Sequence, residues 1–166
     1  LVLSLRRMNK ILLIDEKNHQ VIVEPGVITE VLQNTVSEKG LFYAVDPASQ
    51  GTCTIGGNIA ENSGGPRAVK YGVTKDWVLN LEVVLPDGRV IETGANTLKN
   101  STGYNLTGLI VGSEGTLGVV TRATLKLLPL PRFQALMLVT FTSVTNACKT
   151  VSDIFRSGAM PSAVEF

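Results

Sequence analysis

Residues that commonly bind metals or form disulfides are scarce in this 166-residue sequence, which has one histidine and two cysteines. Cys53 and Cys148 lie far apart and match neither a zinc-binding spacing nor a disulfide framework. We interpret them as small thiols of a reducing, cytoplasmic compartment. His19 falls in a predicted turn without a partner residue, which favours a solvated side chain over a metal ligand or a catalytic base. The sequence therefore predicts no metal site.

Aromatic residues, net charge and long apolar runs are also limited. Aromatics make up 5% of the chain and the formal net charge is +1, so neither a base-stacking surface nor a basic footprint for nucleic acid is expected. No apolar run approaches the roughly 18 residues that a membrane-spanning helix needs. The hydrophobic fraction of 44% is typical of a globular protein with a sizeable core.

The two ends of the chain carry no sign of a natural terminus. Residues 1–7 lack an initiator methionine and the layout of a signal peptide. Residues 162–166 stop without a change in composition. We expect a piece of a longer protein, cut at both ends.

The first half of the chain alternates between strand and helix patterns. Residues 11–15 and 21–24 predict two strands joined by a turn. From residue 27 the apolar positions follow helical spacing, and Gly40 stands where such a helix ends. Residues 76–85 predict a half-buried strand with an Asp-Gly hairpin after it. Its expected core-facing side chains are Leu79, Leu81, Val83 and Leu85.

The second half continues this mixed order. Short helices are predicted at 54–62 and 106–111, strands at 119–128 and 135–141, and a longer helix at 144–155. Strands joined partly by hairpins and partly through helices are typical of α+β proteins. We therefore expect an α+β fold, a mainly antiparallel sheet with flanking helices.

Glycine is the residue with an unusual distribution, because many of the 16 glycines fall in two clusters. In residues 54–65 (TIGGNIAENSGG), adjacent glycines before a helix leave backbone N–H groups unshielded, which suits a phosphate or an electron-rich ring edge. Residues 112–120 (GSEGTLGVV) form the second cluster, where Glu114 either accepts a hydrogen bond from a ligand or caps a turn. Each cluster alone equally allows a structural turn. No G-x-G-x-x-G follows a strand, so a nicotinamide-binding Rossmann fold is not indicated.

Five motifs follow one another in the chain: DPAS, TIGGNIAENSGGPRAVKYG, LEVVLPDG, STGYNL and GSEGTLGVVT. Their order and spacing resemble the FAD-linked oxidase family with the vanillyl-alcohol-oxidase (PCMH) type of flavin domain. Within that family the chain is most similar to the flavin-binding chain of glycolate oxidase and to D-lactate and D-2-hydroxyglutarate dehydrogenases. The resemblance covers almost the whole chain.

The resemblance implies an architecture and an activity. Residues 1–134 would be part of the FAD-binding domain, its second subdomain, and residues 135–166 the beginning of a substrate cap domain. The intact protein would oxidise a small 2-hydroxy acid, of the glycolate or D-lactate type, to the 2-keto acid. Its other partner would be an electron acceptor, such as a quinone or an iron–sulfur subunit. Independently of the resemblance, a truncated domain exposes apolar surface, so we expect the chain to associate with further copies of itself. The alternative is a non-catalytic folded fragment or a nucleotide-binding module.

The resemblance also implies which residues contact FAD, although it implies no catalytic residue within this chain. Residues matching 46–52 would run along the flavin, those matching 56–62 would pack against the ring and pyrophosphate, and those matching 114–120 would close over the adenine half. The implied contacts are Asp46, Pro47, Ala48, Ser49, Thr52, Ile55, Gly56, Gly57, Asn58, Ala60, Asn62, Gly65, Gly72, Glu114, Gly115, Gly118 and Val120.

Overall fold

The computed structural model describes residues 2–165, which form seven strands, five α-helices and one 3-10 helix. The first half contains β1 (Ile11–Asp15), β2 (Gln20–Val23), α1 (Thr29–Ser37), β3 (Leu41–Phe42), α2 (Ile55–Glu61), α3 (Ala68–Tyr71) and the 3-10 helix (Thr74–Asp76). The second half contains β4 (Val78–Val84), β5 (Val90–Glu92), α4 (Leu106–Ile110), β6 (Val119–Lys126), β7 (Leu128–Pro129) and α5 (Val144–Arg156).

The main sheet has five strands in the order β1-β2-β6-β4-β5, and every neighbouring pair is antiparallel. Strand β6 lies at the centre, so the second half of the chain returns to pair with a strand of the first half. The short strands β3 and β7 form a separate antiparallel pair. The predicted α+β fold with a mainly antiparallel sheet is confirmed.

The hydrophobic core lies between one face of this sheet and helices α1 and α2. Alternate residues of the strands enter it, as expected for a sheet with one covered face. The helices contribute residues one turn apart, and Trp77 at the start of β4 is the largest fully buried side chain. Core residues from these elements are Val21, Val23, Leu32, Val36, Ile55, Ile59, Leu81, Val83, Ala123 and Leu125.

One predicted core position in β4 is wrong. The register between β4 and β6 shifts between Val78 and Asn80, and this irregularity changes which side chains face inward. Val78 enters the core in place of Leu79, whereas Leu81 and Val83 face inward as predicted and Leu85 packs at the core margin.

The predicted strand at 135–141 is also wrong. These residues adopt no regular secondary structure and form no ladder with any other part of the described chain, 2–165. Leu136 is 100% exposed and Leu138 is 92% exposed. The predicted helix that follows is confirmed as α5; the hydroxyl oxygen of Ser143 caps it by accepting a hydrogen bond from the Asn146 N–H at 3.2 Å. None of its residues is buried.

The helices of residues 2–165 include none that is both long and apolar enough to cross a bilayer.

Candidate functional site

The two glycine clusters, which are far apart in sequence, meet beside α2. The Gly112 N–H donates to the Ile59 carbonyl oxygen at 2.8 Å, and the Glu114 N–H donates to the Ala60 carbonyl oxygen at 3.0 Å. The C-terminal end of α2 therefore holds the turn that precedes β6. Glu114 adopts this turn with φ of 52°, in the left-handed region that few residues other than glycine occupy.

A cavity of about 200 Å³ lies at this junction. Five of the residues implied as FAD contacts line it together: Gly56, Ala60, Gly115, Gly118 and Val120. Within the described part of the chain, none of the side chains lining the cavity is ionisable. Apart from Ser113, its wall consists of aliphatic side chains and glycine backbone, a surface that suits a flat, largely apolar ring system.

Gly118 fixes the shape of this cavity at the start of β6. A Cβ at this position would lie 2.6 Å from the Val83 Cγ1 atom and 2.9 Å from the Val84 carbonyl oxygen. Such distances are shorter than van der Waals contact, so only glycine lets β6 approach β4 here. Close packing of β6 against β4 therefore explains a glycine at this position, whether or not a ligand also approaches it.

The backbone N–H groups at the start of α2 are engaged within the protein. The Ile55 N–H donates to the Val27 carbonyl oxygen at 2.8 Å, and the Gly56 N–H donates to the Pro25 carbonyl oxygen at 2.7 Å. The Gly57 N–H donates to the Thr54 hydroxyl oxygen at 3.2 Å. The expectation of unshielded donors for a phosphate is therefore wrong at this helix end.

A second group of implied contacts lies on the loop of residues 46–53, hereafter the 46–53 loop. It contains Asp46, Pro47, Ala48, Ser49 and Thr52, which do not line the cavity described above. The loop turns on itself, since the Gln50 N–H donates to the Pro47 carbonyl oxygen at 2.9 Å. Ala48 and Ser49 are exposed at its tip.

Asp46 makes the most specific contacts of this loop. Its Oδ2 atom lies 3.2 Å from the Nε atom of Arg67, and its Oδ1 atom accepts from the Arg67 backbone N–H at 3.3 Å. Burial nevertheless raises the pKa of Asp46 above the ordinary value, against the opposing effect of Arg67. Gly65, another implied contact, lies directly against the Asp46 backbone.

Four other implied contacts serve the fold through their side chains or backbone. Ile55 is part of the core, and the buried Asn58 amide donates to the Thr29 hydroxyl oxygen at 2.8 Å. Asn62 ends α2 in a left-handed conformation, and its Oδ1 atom accepts from the Lys75 N–H at 2.9 Å. Gly72 has φ of 77° beside the Asp76 carboxylate. These four residues therefore have roles in the fold itself.

Sequence reasoning missed Leu3, Leu5, Pro25, Ile110 and Ser113, which also line the cavity. The N-terminal segment folds back because the Gly26 N–H donates to the Met8 carbonyl oxygen at 2.7 Å. The Pro-Gly pair after β2 is a signal for this turn. Isolated leucines in an extended segment carry no comparable pattern.

The volume of the cavity limits how much of an FAD molecule it can hold. Sites for drug-sized ligands usually enclose about 300–1,000 Å³, whereas this cavity has about 200 Å³. Its aliphatic lining fits one ring system of the dinucleotide. Among residues 2–165 no cationic side chain lines it, so this surface offers the pyrophosphate no ion pair.

Known proteins are similar to this chain in sequence and in fold. The chain is 51% identical to the glycolate oxidase subunit GlcD of Bacillus subtilis (strain 168) over 166 residues, all of this chain and 35% of that protein. It is 41% identical to a D-lactate dehydrogenase of Anaerostipes hadrus, over 99% of this chain and 34% of that protein. A solved alkyldihydroxyacetonephosphate synthase matches with a TM-score of 0.80 and 29% identity, over 95% of this chain and 28% of the other. The chain thus spans about a third of the length of these curated relatives.

The model of the family described as FAD binding domain matches residues 1–94, which is more than half of the chain. The matched part includes the 46–53 loop, all of α2 and the glycines at 56 and 65. Since this match extends over more than half of its residues, this chain belongs to the FAD-binding domain family.

Proposed function

We propose that the protein containing this chain is an FAD-dependent oxidoreductase that oxidises a small 2-hydroxy acid of the glycolate or D-lactate type to the 2-keto acid. The observation that carries this proposal is the 51% identity to a glycolate oxidase subunit along the entire chain. The match to a D-lactate dehydrogenase supports the same substrate class. In this proposal, the present chain supplies FAD-binding loops.

The residues of the chain would act by binding and by excluding water. The aliphatic wall of the cavity, with Ile59 and Ile110, would cover one ring system, and the turn held by Gly112 and Glu114 would close over it. FAD, when bound, supplies a two-electron acceptor for the hydride of the substrate. We assign no catalytic base to this chain, since no ionisable side chain among residues 2–165 lines the cavity.

We propose that residues 135–165 begin a second, cap-forming domain, while the preceding residues form part of the FAD-binding domain. Residues 136–141 are apolar at every position but one, and these apolar side chains are exposed: Leu136, Met137, Leu138, Val139 and Phe141. A strand that is apolar on both faces is typical of a sheet covered on both sides. The unburied helix α5 fits the same domain.

The remaining proposals concern the electron acceptor, the assembly and the location of the protein. We propose a quinone or an iron–sulfur subunit as electron acceptor, and assembly with further copies of the chain. The two free thiols, Cys53 and Cys148, favour a cytoplasmic location because thiols persist in reducing compartments.

A nucleotide-binding module without activity of its own is the second candidate. The small volume of the cavity, about 200 Å³, and the engaged N–H groups at the start of α2 favour it. In this case the chain would bind part of an adenine nucleotide and transfer no hydride.

Two measurements separate these functions. Titration of the chain with FAD, followed by quenching of flavin fluorescence, should saturate, whereas FMN and NAD should bind much more weakly. The whole protein should then reduce a dye acceptor with glycolate or D-lactate and not with L-lactate. Binding of FAD without turnover of any 2-hydroxy acid would favour the module and contradict the oxidoreductase.

A further inference from the structure

We propose that Arg67 is a positioning residue for the cofactor, because its ion pair with Asp46 holds the 46–53 loop in place. This inference rests on the proposed function and on the flavin contact that the family resemblance implies for residues 46–52. Arg67 itself is not among the residues implied to contact FAD. It would act through the carboxylate of Asp46.

Arg67 contacts the Asp46 carboxylate through two of its nitrogen atoms. The Nε atom of Arg67 lies 3.2 Å from the Oδ2 atom of Asp46, and the Arg67 backbone N–H donates to Oδ1 at 3.3 Å. Both carboxylate oxygens are therefore held by one residue. The Asp46 side chain is 14% exposed, so solvent screens this pair less than it screens a surface ion pair.

The guanidinium of Arg67 is fixed by its surroundings. Its Cζ atom lies 5.4 Å from the centre of the Phe42 ring, within the distance of a cation–π contact. Phe42 belongs to β3, which is paired with β7, and its ring packs edge-on against Tyr71 at 5.6 Å. The contact with the packed Phe42 ring thus holds the guanidinium group beside Asp46.

The two ends of the 46–53 loop are anchored differently. At its far end, the Glu30 N–H donates to the Gln50 carbonyl oxygen and the Thr29 N–H donates to the Cys53 carbonyl oxygen, both at 3.0 Å. These are backbone bonds to the start of α1. At its near end, the carboxylate contacts of Asp46 with Arg67 anchor the loop. Loss of the Arg67 side chain removes the Nε contact and leaves only the backbone N–H contact to Asp46, which should loosen the near half of the loop.

Arg89 offers a matched control. Its Nε atom forms an ion pair with the Asp87 Oδ2 atom at 2.7 Å in the exposed turn between β4 and β5. Arg89→Ala removes the same kind of pair from a turn that lies outside both the cavity and the 46–53 loop. Arg67→Lys keeps a positive charge beside Asp46 and tests whether that charge preserves the ordered loop and the FAD affinity.

The experiment measures hydrogen–deuterium exchange of the 46–53 peptide and FAD affinity in the same set of full-chain variants. Arg67→Ala should speed the exchange of the Gln50 amide, which bonds to the Pro47 carbonyl oxygen in the near half of the loop, and weaken FAD binding by about tenfold through lost preorganisation. Arg67→Lys should restore most of both, and Arg89→Ala should change neither. Thermal unfolding without FAD identifies any variant that fails to fold; Arg67→Gln then replaces Arg67→Ala.

Three results would overturn the inference in distinguishable ways. Unchanged exchange in Arg67→Ala would show that the ion pair does not hold the loop. Faster exchange with unchanged FAD affinity would remove the positioning role. Failure of the unaltered chain to bind FAD would overturn the proposed function and the positioning role with it, while the exchange result would still decide whether the pair holds the loop.

Discussion

The backbone carbonyl oxygen of Asp46 lies in the space that the Cβ atom of any larger residue at position 65 would occupy. Gly65→Ala should therefore push the 46–53 loop away and lower the free energy of unfolding by about 1–3 kcal/mol, the usual cost of overpacking. The neighbouring Gly64→Ala is the control, since its Cβ would meet the movable Val73 side chain at 3.1 Å. Urea denaturation measures both. Equal losses in the two variants would contradict the close fit at Gly65.

The Asp46 carboxyl group should make stability depend on pH. Burial raises its pKa above 3.8 despite the hydrogen bond and charge of Arg67, and Glu165 adds to the rise. A group with a raised folded-state pKa stabilises the fold below its unfolded pKa, and this contribution is lost as pH rises through the folded value. From pH 3.8 upward, the unaltered chain should therefore lose more stability than Asp46→Asn, as measured by Tm.

Asp87 provides a control of opposite sign for this pH series. Its pKa lies below 3.8 because the backbone N–H and the side chain of Arg89 donate hydrogen bonds to it. Its contribution is present above the unfolded pKa and is lost as pH falls through the folded value. The unaltered chain should therefore lose this stability in acid, whereas Asp87→Asn, which lacks the carboxylate, should lose less over the same pH range, as measured by Tm. The same pH profile for both variants would show that neither carboxyl group titrates as described.

The exposed apolar segment at 136–141 should make the chain self-associate. Leu136 and Leu138 are 100% and 92% exposed, and contiguous exposed apolar side chains favour association between protein chains. Changing both to lysine should convert the associated chain to a monomer in light scattering. The same double change at Leu98 and Leu109, which are 71% and 60% exposed, is the control. A monomer of the unaltered chain at high concentration would contradict this prediction.

Local signals predicted much of the fold. Gly40 follows α1 with φ of 70°, and Gly88 closes the β4–β5 hairpin with φ of 85°, because each turn is specified by its own residues. The core position of Val78 was not predictable in this way. The register of β4 is set by β6, which lies some forty residues further along the chain.

In the candidate site, too, local features were predictable and contacts between distant residues were not. The two glycine clusters marked the residues that meet at the cavity, but not that the start of α2 is closed by Pro25 and Val27. Those carbonyl oxygens come from a distant turn, and a local pattern of glycines carries no information about them. Likewise, residues 135–141 have the apolar run of a buried strand, but a strand also needs a partner, and residues 2–165 provide none.

Ala60→Leu tests the central claim most directly, because Ala60 lines the cavity where the glycine clusters meet. The larger side chain should fill part of its volume of about 200 Å³ and weaken FAD binding at least about tenfold, or by about 1.4 kcal/mol. Ala147→Leu makes the same change on α5, outside the cavity, and should leave the affinity unchanged. Unchanged FAD affinity in a folded Ala60→Leu variant would contradict the assignment of this cavity to the cofactor.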